Sequence, residues 1–224
     1  MIKYLLLCLS LLATAATTYA KQETFDIEVL SWNPRVVLLR NFLNQKECDH
    51  LIAEALPRLE RSGVINEESG GGRIDNARTS QGMFFDDRGS DAIIRRIEEK
   101  ISHLTMMPVN YGEIIQILRY EPGQEFIPHH DYFNAASVGG KEALENGGQR
   151  MATLIMYLNS VEDGGETVFP ELGLKITPKK GNGVLFYNCR PDGKEDPLTL
   201  HGGAPVVRGT KWIATKWIHF EEIQ

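Results

Sequence analysis

The sequence predicts an α+β chain, mainly β, with helices first and strands later. Two early segments repeat apolar residues at helical spacing. From residue 113 onward, short apolar or alternating segments are separated by turn residues. The composition is that of a globular chain, 42% apolar and 24% charged over 224 residues. Many short strands at even spacing argue a sandwich or jelly-roll barrel, and the order of elements argues helices packed on one of its faces.

Residues 1–20 stand apart. Lys3 is their only charge, Tyr4 to Leu12 is nearly all apolar, and small and hydroxylated residues follow, ending Thr18-Tyr19-Ala20. That is the pattern of a signal peptide, with an apolar run too short to span a bilayer comfortably. Residues 32–42 read as a strand through Val36, Val37, Leu38 and Leu39. Asn44, with Glu47 three residues on, has capping-box spacing, and Cys48, Leu51, Ile52, Ala55 and Leu56 continue as an amphipathic helix over 45–60. Residues 62–76, with Gly70-Gly71-Gly72, read as a loop. Ser90 is placed to cap a second helix carrying Ile93, Ile94, Ile97 and Ile101 on one side.

Strands are expected at 113–120, 126–133, 151–158, 166–169, 176–177, 183–187, 198–201 and 211–220. Residues 139–148 read as a second polar loop.

The composition excludes a disordered chain, a collagen-like fibre and a multi-span membrane protein. Lys plus Arg is 24 and Asp plus Glu is 30, so the net charge is -6. An acidic chain lacks the basic surface that phosphate contacts need, so no nucleic-acid partner is expected. Three cysteines cannot form a disulfide framework. Loss of residues 1–20 would leave Cys48 and Cys189, either paired or as buried thiols.

The chemistry gathers around histidine. His50 and His103 fall in or beside helices and read as structural. His129-His130-Asp131 falls in an expected strand, where alternation turns His129 and Asp131 to one face. Two His and one carboxylate are the facial triad of non-haem Fe(II) oxygenases, and His201 is the available third ligand. Lys211, ten residues later, is embedded in an apolar run. A lysine is rarely buried unless paired, so an inward Lys211 calls for an anion, such as the far carboxylate of a dicarboxylate cosubstrate. Period two groups Lys211 with Ile213 and Thr215, opposite Trp212, Ala214 and Lys216. It does not say which face is inside.

Five ordered stretches then carry a resemblance. Pro128-His129-His130-Asp131-Tyr132-Phe133, Gly147-Gly148-Gln149-Arg150, Met156-Tyr157-Leu158, Gly164-Gly165-Glu166-Thr167-Val168-Phe169-Pro170, and His201-Gly202-Gly203-Ala204-Pro205-Val206 through Lys211-Trp212 resemble the prolyl 4-hydroxylase family of Fe(II)/2-oxoglutarate dioxygenases. The likeness covers about residues 31–220.

It implies a double-stranded β-helix core, with 21–224 as one catalytic domain. It implies His129, Asp131 and His201 as iron ligands, Lys211 as the 2-oxoglutarate carboxylate partner, Tyr157 as its assistant and Tyr120 as a pocket wall. Arg78, Ser80, Glu113, Arg150, Trp217 and His219 match positions that contact or flank the peptide. Phe126 departs from a tyrosine that many members carry there.

The resemblance further implies O₂ as co-reactant, L-ascorbate dependence and a proline-containing, polyproline II-like peptide as substrate. Two loops, 66–76 and 134–149, are candidate lids over it. The leader implies export, to a secretory lumen or a periplasm, with no stable membrane span after cleavage. Other readings of the same residues are a 2-oxoglutarate oxygenase acting on another side chain or small molecule, a non-catalytic peptide-binding module, and a zinc hydrolase.

Overall fold

A computed structural model describes residues 24–85 and 91–224. The expected signal peptide and the expected cap Ser90 lie outside the described residues. The chain runs through β1 (Asp26–Trp32), β2 (Arg35–Arg40), α1 (Gln45–Ala55), β3 (Glu60–Arg61), β4 (Gly63–Ile65), β5 (Gly72–Ile74), β6 (Gln81–Phe84) and α2 (Ala92–Thr105). It continues through β7 (Gln116–Tyr120), β8 (Phe126–His129), α3 (Val138–Leu144), β9 (Arg150–Tyr157), β10 (Asp163–Gly164), β11 (Thr167–Phe169) and β12 (Leu174–Ile176). It ends with β13 (Gly183–Tyr187), β14 (His201–Gly203), β15 (Val206–Arg208) and β16 (Lys211–His219).

The helices start where their caps place them. Asn44 and Glu47 form a reciprocal capping box: each side chain accepts from the other's backbone N–H, at 2.9 and 2.8 Å. Asp91 caps α2, accepting from the N–H groups of Ile93 and Ile94. The first helix stops at Ala55 because Pro57 follows, and Leu56–Arg58 tightens into a 3-10 turn.

The strands form a major antiparallel sheet, ordered β1-β2-β13-β9-β16-β7-β6-β3, and a minor one, ordered β12-β11-β14-β8. Alternation along the central strands assigns each face. Ala152, Leu154 and Met156 of β9 and Trp212, Ala214 and Ile218 of β16 meet α1 and α2 through Leu51, Ile94, Ile97 and Ile101. The other faces of those strands, with Ile155, Tyr157 and Ile213, meet Phe169 of the minor sheet. The result is a double-stranded β-helix (jelly roll) with helices on one side, as the sequence predicts.

Several boundaries differ from the sequence reading. The segment 62–76 contains the β4–β5 hairpin, and 139–148 begins inside α3, capped by Ser137. The backbone N–H of Gly139 donates to Glu67 O at 3.2 Å, so hairpin tip and helix touch. The strand expected over 198–201 is instead a 3-10 turn, Pro197–Thr199, and His201 opens β14. Cys48 and Cys189 are free and buried. Among the described residues no helix is long and apolar enough to cross a membrane.

Candidate active site

The β14–β8 ladder places His201 directly opposite His129. Their rings lie 4.4 Å apart between centroids. Each imidazole uses Nδ1 on a carbonyl two residues earlier: His129 on Ile127 O at 2.8 Å, His201 on Thr199 O at 3.0 Å. With the proton held on Nδ1, each Nε2 presents a lone pair. Asp131 lies 3.5 Å from both Nε2 atoms, through Oδ1 to His129 and Oδ2 to His201. The three ligand atoms lie within 4.8 Å of one another.

Asp131 does not reach this position by strand alternation. The strand ends at His129, and Asp131 sits in the bend beyond, held by Thr153 Oγ1 at 2.7 Å and, through its carbonyl, by Arg150 Nη1 at 3.4 Å.

The electrostatics suit a cation. Burial alone would raise the Asp131 pKa, but His201, His129 and Arg150 outweigh it and hold the carboxyl well below the usual range. Burial pushes His201 down to about 4, against the opposing pull of Asp131, so its imidazole is neutral at pH 7. Phe186 and Phe169 pack beside His201, and Phe126 stacks on His129 at 3.6 Å, while His129 keeps an edge open to the groove above. Two imidazoles and one carboxylate whose ligand atoms converge in this way fit a divalent metal with open positions.

Deeper in the barrel lies Lys211, 3% exposed. Burial pulls its pKa down to about 8, and Glu166 partly offsets that. Among the described residues no carboxylate forms an ion pair with it. A narrow cavity joins Lys211 to the His–Asp group, with Tyr120, Thr167, Ile213 and Thr215 on its walls. A buried ammonium without an ion-pair partner among the described residues, facing a hollow that ends at the His–Asp–His group, fits a dicarboxylate reaching from one to the other.

Tyr157 does not line that cavity. Its hydroxyl donates to Thr167 Oγ1 at 2.7 Å, and Thr167 is the wall residue. Thr167 and Thr215 are polar wall residues that sequence reasoning did not assign to the site. For Thr215 the signal was present, since period two sets it on the face of Lys211.

Above the metal position opens a groove of about 880 Å³ that includes Arg78, Glu113, Arg150 and Trp217. Arg150 forms a two-pronged pair with Glu113 at 2.6 and 3.0 Å and lies over the Trp217 ring at 4.2 Å. Burial opposes ionisation of Glu113, but the Arg150 charge and the His219 hydrogen bond bring its pKa down to about 2. His219, itself buried, acts behind the groove: its Nε2 meets Glu113 at 2.9 Å. Arg78 donates to Gln116 Oε1 at 2.8 Å and lies over Phe126 at 5.0 Å, where groove and cavity meet. Ser80 is fully buried, donates to Ser62 Oγ at 3.0 Å and lines neither space, so it has no direct route to a peptide. The Trp217 indole N–H is buried and has no partner among the described residues.

Comparison with known proteins agrees with this arrangement. Residues 115–219 match the family model of the 2OG-Fe(II) oxygenase superfamily. The chain is 45% identical over 217 residues to prolyl 4-hydroxylase 5 of Arabidopsis thaliana, covering 88% of this chain and 72% of that one. It is 44% identical over 214 residues to probable prolyl 4-hydroxylase 3 of the same plant, covering 87% and 72%. Among solved structures, the viral collagen prolyl hydroxylase of Paramecium bursaria Chlorella virus-1, in complex with 2OG, matches with TM-score 0.63 at 32% identity. That match covers 82% of this chain and 94% of the viral one. Identity at this level along most of both chains, on a shared fold, means that the chain belongs to the prolyl 4-hydroxylase family of Fe(II)/2-oxoglutarate-dependent dioxygenases.

Proposed function

We propose that this chain hydroxylates peptidyl proline, with His129, Asp131 and His201 holding Fe(II) and Lys211 holding the far carboxylate of 2-oxoglutarate. The observation that carries the reading is the pairing of two features in one hollow: a convergent His–Asp–His group and a buried ammonium without an ion-pair partner among the described residues. A zinc hydrolase would have no use for the second. Fe(II) and 2-oxoglutarate supply an oxidant from O₂, with release of succinate and CO₂, that places a hydroxyl on a nearby C–H.

The chain's own residues do the rest. Lys211 fixes one end of the cosubstrate, and Tyr120, Thr167 and Thr215 bound its sides. Phe169 and Phe186 bury His201, and Phe126 stacks on His129 to hold its ring in place. The Glu113–Arg150 pair braces the Asp131 backbone and presents Trp217 to the groove. An extended proline-rich segment suits such a groove. Its polyproline II form exists before docking, so little chain entropy is lost, and its rings pack on aromatics such as Trp217 and Tyr132. Ascorbate is proposed as the reductant that keeps the iron ferrous, and the leader at residues 1–20 as the export signal.

The test is mass spectrometry of proline-rich peptides after incubation with Fe(II), 2-oxoglutarate and ascorbate. One oxygen gained on proline is expected. Oxygen on a different side chain would overturn the substrate assignment, and absence of 2-oxoglutarate turnover would overturn the site assignment.

A further inference from the structure

Asp131 is gripped from behind as well as flanked by imidazoles. Its Oδ2 accepts from Thr153 Oγ1 at 2.7 Å, and Thr153 Oγ1 accepts from Asn188 Nδ2 at 2.9 Å. Thr153 lies in β9 and Asn188 one residue past β13, its neighbour in the sheet; both are 0% exposed.

The direction of this relay follows from donor counting. An ionised carboxylate only accepts, so the single Thr153 proton goes to Asp131. The Thr153 oxygen then offers only lone pairs, and Asn188 must present its NH₂. That leaves Asn188 Oδ1 buried with no partner among the described residues. A buried carbonyl without a partner is a cost that an apolar side chain at this position would not incur. Packing does not account for an asparagine here; a fixed donor aimed at Thr153 does.

We propose that Thr153 and Asn188 are positioning residues that restrict Asp131 to ligation through one oxygen. Thr153 draws on the lone pairs of Oδ2 and fixes the carboxylate plane, leaving Oδ1 as the stronger donor. This rests on the reading that His129, Asp131 and His201 hold Fe(II). On a six-coordinate ion a cosubstrate chelating through two oxygens, together with O₂, needs the three positions that the triad leaves open. A carboxylate that chelated through both oxygens would take one of them.

The test uses the full chain under anaerobic conditions, titrated with Co(II), whose visible absorption reports coordination number, with and without 2-oxoglutarate. Thr153→Val keeps the shape and removes the donor. It is expected to weaken Co(II) binding on the order of 10–100-fold and to change the spectrum of the 2-oxoglutarate complex. Thr153→Ser is expected to restore both. Asn188→Leu is expected to weaken Co(II) several-fold while the metal-free chain melts at or above the wild-type temperature, since the unpaired carbonyl is gone. A purely structural asparagine would instead lower that temperature and leave the spectrum alone.

Wild-type affinity and spectrum in Thr153→Val overturn the proposal, as does a loss that Ser does not restore. Should Thr153→Val fail to fold, wild-type Co(II) affinity in Asn188→Leu overturns it. If the wild-type chain binds no Co(II), the metal reading fails and this inference with it.

Discussion

A lysine buried without an ion-pair partner among the described residues should behave differently from one on the surface. Lys211 holds its charge only up to about pH 8, because burial disfavours the ammonium. A depressed pKa means the protonated form lies below that value and is lost as pH rises through it. Since a dicarboxylate binds the protonated form, the KM for 2-oxoglutarate should be flat below about pH 8 and climb toward tenfold per unit above it. Lys211→Ala should raise that KM at neutral pH and flatten its pH dependence; steady-state kinetics across the range checks both. His129→Ala or Asp131→Ala should abolish metal-dependent turnover while circular dichroism shows a folded barrel. These residues were legible in the sequence because they break local rules: histidines and a carboxylate at period two, and a lysine inside an apolar run. Thr153 and Asn188 break none. They are ordinary strand and strand-end residues, and only the pairing of β9 with β13 aims them at Asp131.

Elements with strong local grammar were readable, and those shaped by a distant contact were not. The capping box at Asn44 and the isoleucine stripe of α2 need no partner to be recognised. Asn44→Ala should therefore cost about 1 kcal/mol in urea unfolding and leave the kinetics unchanged. The segments 62–76 and 139–148 read as loops because glycine disfavours helix and strand. The glycines of α3 are there for close approach. A methyl group at Gly139 would lie 2.2 Å from Asn66 O, on the tip of the β4–β5 hairpin, and one at Gly140 would lie 2.0 Å from Asn134 O. That hairpin and Gly140 border the groove, so the contact sets part of its outline. Gly139→Ala should push hairpin and helix apart, at about 1–3 kcal/mol of overpacking. Its expected signature is a several-fold higher KM for peptide with an unchanged KM for 2-oxoglutarate, and equal changes in both would show the damage to be global.

At the scale of the whole molecule, β16 divides two kinds of work between its faces. One face carries Lys211 toward the hollow beside the His–Asp–His group; the other carries Lys216 toward the helices. Both lysines are buried, yet Lys216 has a carboxylate waiting: Glu98 of α2 meets its Nζ at 2.6 and 2.7 Å, both side chains almost inaccessible. The contrast matches the role proposed for Lys211: a lysine that serves the fold has its counter-charge in the fold, whereas one that holds a ligand takes its counter-charge from the ligand. Removing one partner of a buried pair strands the other charge, at about 3–5 kcal/mol. Glu98→Gln should therefore lower unfolding free energy by about that amount, measured in urea, because Lys216 loses the carboxylate that meets its ammonium beneath α2. Replacing both, as Glu98→Leu with Lys216→Met, should recover most of the loss, since neither charge then has to be desolvated. Throughout, the KM for 2-oxoglutarate should stay at the wild-type value, because the helix-facing side chains of β16 do not line the hollow. A shift in that KM at unchanged stability would mean that the two faces of the strand are coupled, and that the helix layer tunes the site as well as supporting it.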